Sequence, residues 1–463
     1  MPDLLITGAR VVTRQAVLDS DVAIRGSKIR LVGGPPRRNG SGRVPCLRLS
    51  ERSGDPDAVQ SGRKHATFPG PAQIIDARGL VLLPGFIDIH THGYGGFDFT
   101  LGVYNAASDS FDGSRDRSLE ALDAYVRQMP RTGLTTSYLA TIAAPVPALR
   151  ERLALLKEFL RRPPLGTRVI GAFLEGSFIS EKMRGAMSAE LVQRPDVAVF
   201  DAIDASGMIR LALVAPDEAG PRLTLIRHMA RRGVIVGAGH TNCTADELDA
   251  ARRAGLRYVV HFLNGPTGHS YKPFHGGGAV EGALADDRLY AELIADGYHI
   301  DPRYVRDVLA RKGFDRVIAV SDSMFAAGAR GLKSFQMFGV FGKVGPDGKY
   351  LQVASDPLTL YGSCLDMSTA ASNLLSWLTR PMPGVWTRRH EALTSDEALV
   401  AVGRMAATNA ARLTGLDRRL RIGEIATGRT ADLVLARLAG RPGAYRLQVQ
   451  RTWLAGQEVF CRR

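Results

Sequence analysis

Eight strand-like runs alternate with amphipathic helical stretches through the middle of this chain, and few folds accommodate that pattern. The runs are Phe86–His92, Leu134–Thr141, Arg168–Glu175, Arg210–Ala215, Val234–His240, Tyr258–Phe262, Leu293–His299 and Val317–Asp322. Most gaps between them repeat apolar residues at helical spacing, as in Leu119–Gln128, Leu149–Leu160, Leu223–Arg232, Ala245–Ala254 and Arg303–Ala310. Eight β/α units predict an α/β fold built on a (β/α)8 TIM barrel. The alternative is a doubly wound open sheet, but no Gly-x-Gly-x-x-Gly fingerprint follows an early strand.

The ends of the chain read differently. Leu4–Ile6, Arg10–Val12 and Val22–Ile24 are short strand-like pieces separated by Gly8 and Asp19-Ser20. Ala431–Leu435, Arg446–Val449 and Val459-Phe460 repeat the pattern at the other end. The expectation is a small β-sandwich domain assembled from both termini, residues 1–83 and 415–463, around a barrel of residues 84–414. Residues 34–73 are rich in Gly, Pro, Ser and Arg and read as a flexible insertion. The segment Met324–His390, past the eighth run, is Gly-rich with a hairpin at Val344–Lys349, and a helix from Ser395 to Leu413 closes the barrel.

Composition removes several function classes. The 463 residues are 45% hydrophobic and 23% charged, as in a globular protein. No apolar run approaches the ~20 residues that span a bilayer. The opening Met-Pro-Asp-Leu-Leu-Ile has an early acid and no basic n-region, so the expected compartment is the cytoplasm. Cys46, Cys243, Cys364 and Cys461 form no Cys-x-x-Cys pair, which speaks against thiolate zinc. The net charge of +14 comes mostly from arginines scattered along the chain, with no long Lys/Arg block. It suggests some attraction for anionic substrates and no nucleic-acid partner.

The chemistry gathers at the ends of the runs, where barrel active sites are built. The first ends in His90 and His92, the third in Glu175, the fifth in His240, the sixth in His261, the seventh in His299 and the eighth in Asp322. Half of the ten histidines therefore share one barrel face. His90 and His92 lie two apart, so a strand points both the same way. Glu175, His240 and His261 offer one carboxylate and two imidazoles, a donor set suited to Zn²⁺ or Fe²⁺ with a coordination position left open. Such an ion lowers the pKa of water toward ~7. Asp322 is the expected general acid/base beside it.

The runs PGFIDIHTHG at 84–93, GLTTSYLAT at 133–141, FLEGSFIS at 173–180, GHTNCT at 239–244, HFLN at 261–264, ELIADGYHID at 292–301 and VSDSM at 320–324 carry a family resemblance. The chain resembles the amidohydrolase superfamily, and within it the N-acetylglucosamine-6-phosphate deacetylases, over nearly its whole length outside the insertion. The resemblance implies hydrolysis of an N-acetyl amide on an amino sugar, giving acetate and a free amine. It implies that Glu175, His240 and His261 bind the main divalent metal, with His90 and His92 holding a second in some members. It matches Asp322 to the acid/base, and Ala186, Asn264, Gly265, His299, Leu360, Tyr361 and Gly362 to the sugar site. It also implies a homodimer.

Two departures bear on the substrate. Met187 stands where the family carries a histidine that assists at the substrate carbonyl, and a thioether donates no hydrogen bond. The loop Lys272–Gly278 lacks the family's phosphate-gripping arginine, leaving Lys272 or His275 as substitutes. A different or unphosphorylated N-acyl substrate is therefore one alternative, and a barrel that binds a ligand without turning it over is another.

Overall fold

The computed structural model describes residues 4–33, 73–218, 220–264, 276–329 and 331–462. Residues 34–72 of the insertion lie outside this description, as do Cys46, Gly265, Lys272 and His275.

The eight runs form eight parallel strands in sequential order: β1 (Phe86–Thr91), β2 (Leu134–Ala140), β3 (Arg168–Phe178), β4 (Ile209–Val214), β5 (Ile235–Ala238), β6 (Leu256–Val259), β7 (Tyr290–Ile294) and β8 (Val317–Val320). Every residue of β1, β2 and β8 is buried. Helices cover the outside, so these strands are buried on both faces rather than alternating between core and solvent. The sheet closes on itself just past β8. Thr91 bridges to Ser323, and the Asp322 N–H donates to the His90 carbonyl at 2.9 Å. Asp88 staples the same seam, accepting from the Ser321 hydroxyl at 2.5 Å and the His90 N–H at 3.1 Å. Burial pushes its carboxyl up to about 6 against the pull of those hydrogen bonds.

Strand bounds differ from the sequence reading in an informative way. β5, β6 and β8 stop two residues short of His240, His261 and Asp322. These three residues have φ of +44°, +31° and +47°. A non-glycine residue in the left-handed region costs energy and persists only where the surroundings impose it. The strand must end there so that each side chain turns inward across the barrel mouth. β3 instead runs three residues beyond Glu175, and His299 lies in a loop five residues past β7.

Both termini join one hydrogen-bonded sheet. Its order is Gln457–Cys461, Ala444–Leu454, Leu433–Arg441, Val81–Pro84, Leu4–Val12, Val17–Arg25, Lys28–Gly33, with Gln73–Asp76 also paired to Leu4–Val12. The two short pieces expected at the start are one strand with a bulge between Ile6 and Ala9, where Gly8 takes φ +68°. Ile6, Val22, Leu82, Leu433 and Trp453 share a separate hydrophobic core. Among the described residues no helix is long and apolar enough to cross a membrane.

Asp432 joins this sheet to the barrel. Its carboxylate accepts from Arg168 of β3 and from the Ala455 N–H, both at 2.7 Å, while its carbonyl accepts from Gly85 at 2.8 Å. Asp432→Ala removes the ion-pair partner of Arg168 and the acceptor of the Ala455 N–H. It is expected to lower unfolding stability by about 2–3 kcal/mol, read from urea denaturation, with turnover per folded molecule unchanged. An unchanged midpoint and slope would show that the strut carries no load.

The region after β8 contains four antiparallel strands, Ser334–Met337, Val340–Val344, Tyr350–Val353 and Leu360–Ser363, around a core of Phe325, Phe335, Leu351 and Tyr361. The expected hairpin is the turn between the second and third. The Ser363 N–H donates to the Asp322 carbonyl at 2.9 Å, so this small sheet is tied to the loop of the catalytic candidate. Helix Met367–Leu378 follows. The closing helix is interrupted: Ser395–Gly403 and Asn409–Leu413 are α-helical, and Arg404–Thr408 between them is a π-helical turn.

Candidate active site

Glu175 lies at the centre of the barrel mouth. Its Oε1 is 3.4 Å from His240 Nε2 and 3.2 Å from His261 Nε2. Its Oε2 is 3.1 Å from His92 Nε2 and 3.4 Å from His90 Nε2. One carboxylate therefore faces two imidazole pairs. Gly176 makes this placement possible. It takes φ +89°, and a β-carbon there would collide with the Ala143 amide and the Met187 sulfur.

Asp322 completes the cluster from the opposite wall. Its Oδ1 is 3.2 Å from His92 Nε2 and 3.5 Å from His90 Nε2. Burial disfavours charge on Asp322, but His90 and His92 outweigh it and hold the carboxyl below its ordinary value. Glu175 is held well below its ordinary value, with burial overcome by His90, His240 and His261. Burial likewise opposes protonation of His92, yet Asp322 and Glu175 push it up to about 9. His261 is held below its ordinary value by burial, with Glu175 opposing. The field of two buried carboxylates thus favours positive charge on His90 and His92.

The donor set fits a divalent cation. His90, His92 and Glu175 form one group whose ligand atoms lie within 4.8 Å of one another, and Glu175, His240 and His261 form a second. His240 is oriented for the role. Its Nδ1 donates to the Met183 carbonyl at 2.9 Å, which leaves Nε2 facing the cluster. The loop carrying His240 is anchored by Asp217, which accepts from the Thr241 hydroxyl at 2.8 Å and the Asn242 N–H at 2.6 Å. The Thr244–Glu247 capping box then starts helix Ala245–Ala254.

The cluster opens into a cleft. Of the residues matched to the sugar site, Ala186, Asn264, Leu360, Tyr361 and Gly362 line it. His299 does not. It is buried to one side, its Nδ1 2.6 Å from Asp296 Oδ2. Gly265 lies outside the described residues. Met187 does line the cleft, together with Ile142, Met324, Met337 and Phe338, which sequence reasoning missed. Nothing in an apolar residue's identity marks it as a cleft wall. Glu292 was missed as well, although a lone acid inside the buried strand Tyr290–Ile294 is a legible signal.

The chain is similar to known proteins. Residues 81–459 match the model of the amidohydrolase family. The chain is 32% identical over 371 residues to the N-acetylglucosamine-6-phosphate deacetylase of Bacillus subtilis, covering 77% of this chain and 80% of the relative. It is 29% identical over 402 residues to the N-acetylgalactosamine-6-phosphate deacetylase of Escherichia coli O157:H7, covering 86% and 93%. The crystal structure of N-acetyl-D-glucosamine-6-phosphate deacetylase from Mycobacterium smegmatis superposes with a TM-score of 0.73 at 23% identity, over 99% of this chain and 100% of that one. With its barrel, its strand-end cluster and these similarities, the chain belongs to the amidohydrolase family, in its N-acetylglucosamine-6-phosphate deacetylase branch, whose members hydrolyse carbon–nitrogen bonds.

Proposed function

We propose that this protein removes the acetyl group from an N-acetyl amino sugar 6-phosphate, with N-acetylglucosamine-6-phosphate as the first candidate. The observation that carries the reading is Asp322 lining the cleft, 3.2 Å from the same His92 Nε2 that Glu175 meets at 3.1 Å. Glu175, His240 and His261 would hold the principal metal and His90 and His92 a second, Zn²⁺ being the ion the donors suit best and Fe²⁺ the alternative. When bound, such an ion polarises the amide carbonyl and acidifies water. Asp322 takes the proton released as water adds to the carbonyl carbon. It then returns that proton to the sugar nitrogen as the carbon–nitrogen bond breaks, so that the amine leaves neutral. Acetate and the free amino sugar are the products. A cytoplasmic setting belongs to the same reading.

One observation favours a second substrate. Ile142, Ala143, Ala186, Met187, Met324, Met337, Phe338 and Leu360 make much of the cleft wall apolar, and no lysine or arginine lines it among the described residues. An unphosphorylated N-acyl compound suits such a wall. Assays of N-acetylglucosamine and N-acetylgalactosamine, each with and without the 6-phosphate, separate the two. The phosphorylated sugars are expected to have kcat/KM about 10- to 100-fold higher, the equivalent of about 1.4–2.7 kcal/mol from charge-assisted phosphate contacts. Equal values with and without phosphate would refute the phosphate reading.

A further inference from the structure

Glu292 of β7 is fully buried, and its carboxylate reaches both halves of the site. Its Oε2 is 3.1 Å from His90 Nδ1 and 3.2 Å from the backbone nitrogen of His261. The first contact makes His90 Nδ1 a donor and turns Nε2 toward Glu175 and Asp322. The second accepts the N–H of a residue whose φ is +31°. The Glu292 carbonyl also accepts from Phe262 at 2.8 Å, so the strand holds the chain on both sides of His261. Other carboxylates near the site act more locally. Asp217 ties down the loop after His240, and Asp88 ties β1 to β8.

We propose that Glu292 is a positioning residue that sets both ligand groups at once: it selects the tautomer of His90 in one and fixes the backbone of His261 in the other. The proposal rests on the reading of these groups as metal ligands. Its physical basis is that a ligating imidazole is oriented, and made more basic, by a carboxylate on its other nitrogen. Burying a carboxylate is costly unless it is paired, and His90 is the pair. The second oxygen, Oε1, has no hydrogen-bond partner among the described residues. Glu292→Gln therefore removes the charge and places an amide N–H₂ where nothing accepts it, or turns that group toward the two N–H donors.

The test is zinc titration of wild type and Glu292→Gln, with bound metal counted by elemental analysis. Glu292→Gln is expected to weaken both metal equivalents about 10- to 100-fold. Combined with His90→Asn, it should show a non-additive loss, because part of its effect passes through that ring. A merely structural role would lower stability and leave zinc affinity in place. Glu292→Gln protein that binds both equivalents within twofold of wild type overturns the proposal, as does strict additivity with His90→Asn. Should the variant fail to fold, ¹⁵N spectra of zinc-loaded wild type decide. A His90 ring protonated at Nδ1 supports the proposal, and one protonated at Nε2 overturns it. Wild-type protein that takes up no zinc overturns the metal reading itself, a result distinct from a failure of Glu292 alone.

Discussion

Asp322→Asn is expected to lower kcat about 10²- to 10⁴-fold while bound metal stays at the wild-type level. The group formed by Glu175, His240 and His261 does not include Asp322, so its ligands survive the substitution. The amide is nearly the same size and still meets His92 through one oxygen or nitrogen. What it lacks is a site for a proton at neutral pH. Hydrolysis of an amide needs that site twice, once when water adds and once when the amine departs. KM should change little, because the loss falls on proton transfer rather than on ground-state contacts. Metal analysis run beside steady-state kinetics makes the test specific. Turnover within tenfold of wild type at full metal content would remove Asp322 from the acid/base role.

The barrel was legible because strand-like runs recur with amphipathic helices between them, as the buried apolar Val317–Val320 and helix Pro302–Lys312 illustrate. The cluster was legible because barrel strands deliver their ends to one face, so His90, Glu175, His240, His261 and Asp322 could be grouped without knowing a distance. The backbone that delivers them was not. Positive φ at His240, His261 and Asp322 arises from the way the chain leaves the barrel, and a histidine or aspartate carries no mark of it. His299 reads in sequence as a strand end, but four residues of loop separate it from β7, and Asp296 directs its ring. The cleft wall was the least readable part. Met324 follows the loop of Asp322, and Met337 and Phe338 reach the cleft from the first hairpin of the four-stranded sheet; in sequence all three look like ordinary core. Met187 was noticed only because it replaces a residue expected from resemblance.

Glu175→Gln is expected to have the widest effect of any single substitution at the site, because both ligand groups use this carboxylate. Its two oxygens face different partners, His240 and His261 on one side and His90 and His92 on the other. An amide offers one oxygen and one N–H₂, so whichever way it is turned, one group meets a nitrogen that cannot ligate. The side chain has little freedom to swing away, since Gly176 behind it is wedged between Ala143 and Met187. At least one metal equivalent should be lost, and kcat should fall by about 10³-fold or more, as several kcal/mol of carbonyl polarisation disappear. His92→Asn provides the contrast. It touches only the group containing His90 and Glu175, so the metal held with His240 and His261 should remain. Parallel elemental analysis of the two variants reads this difference directly. Glu175→Gln protein that keeps both metal equivalents, with turnover within tenfold of wild type, would show that the carboxylate is not shared by the two groups.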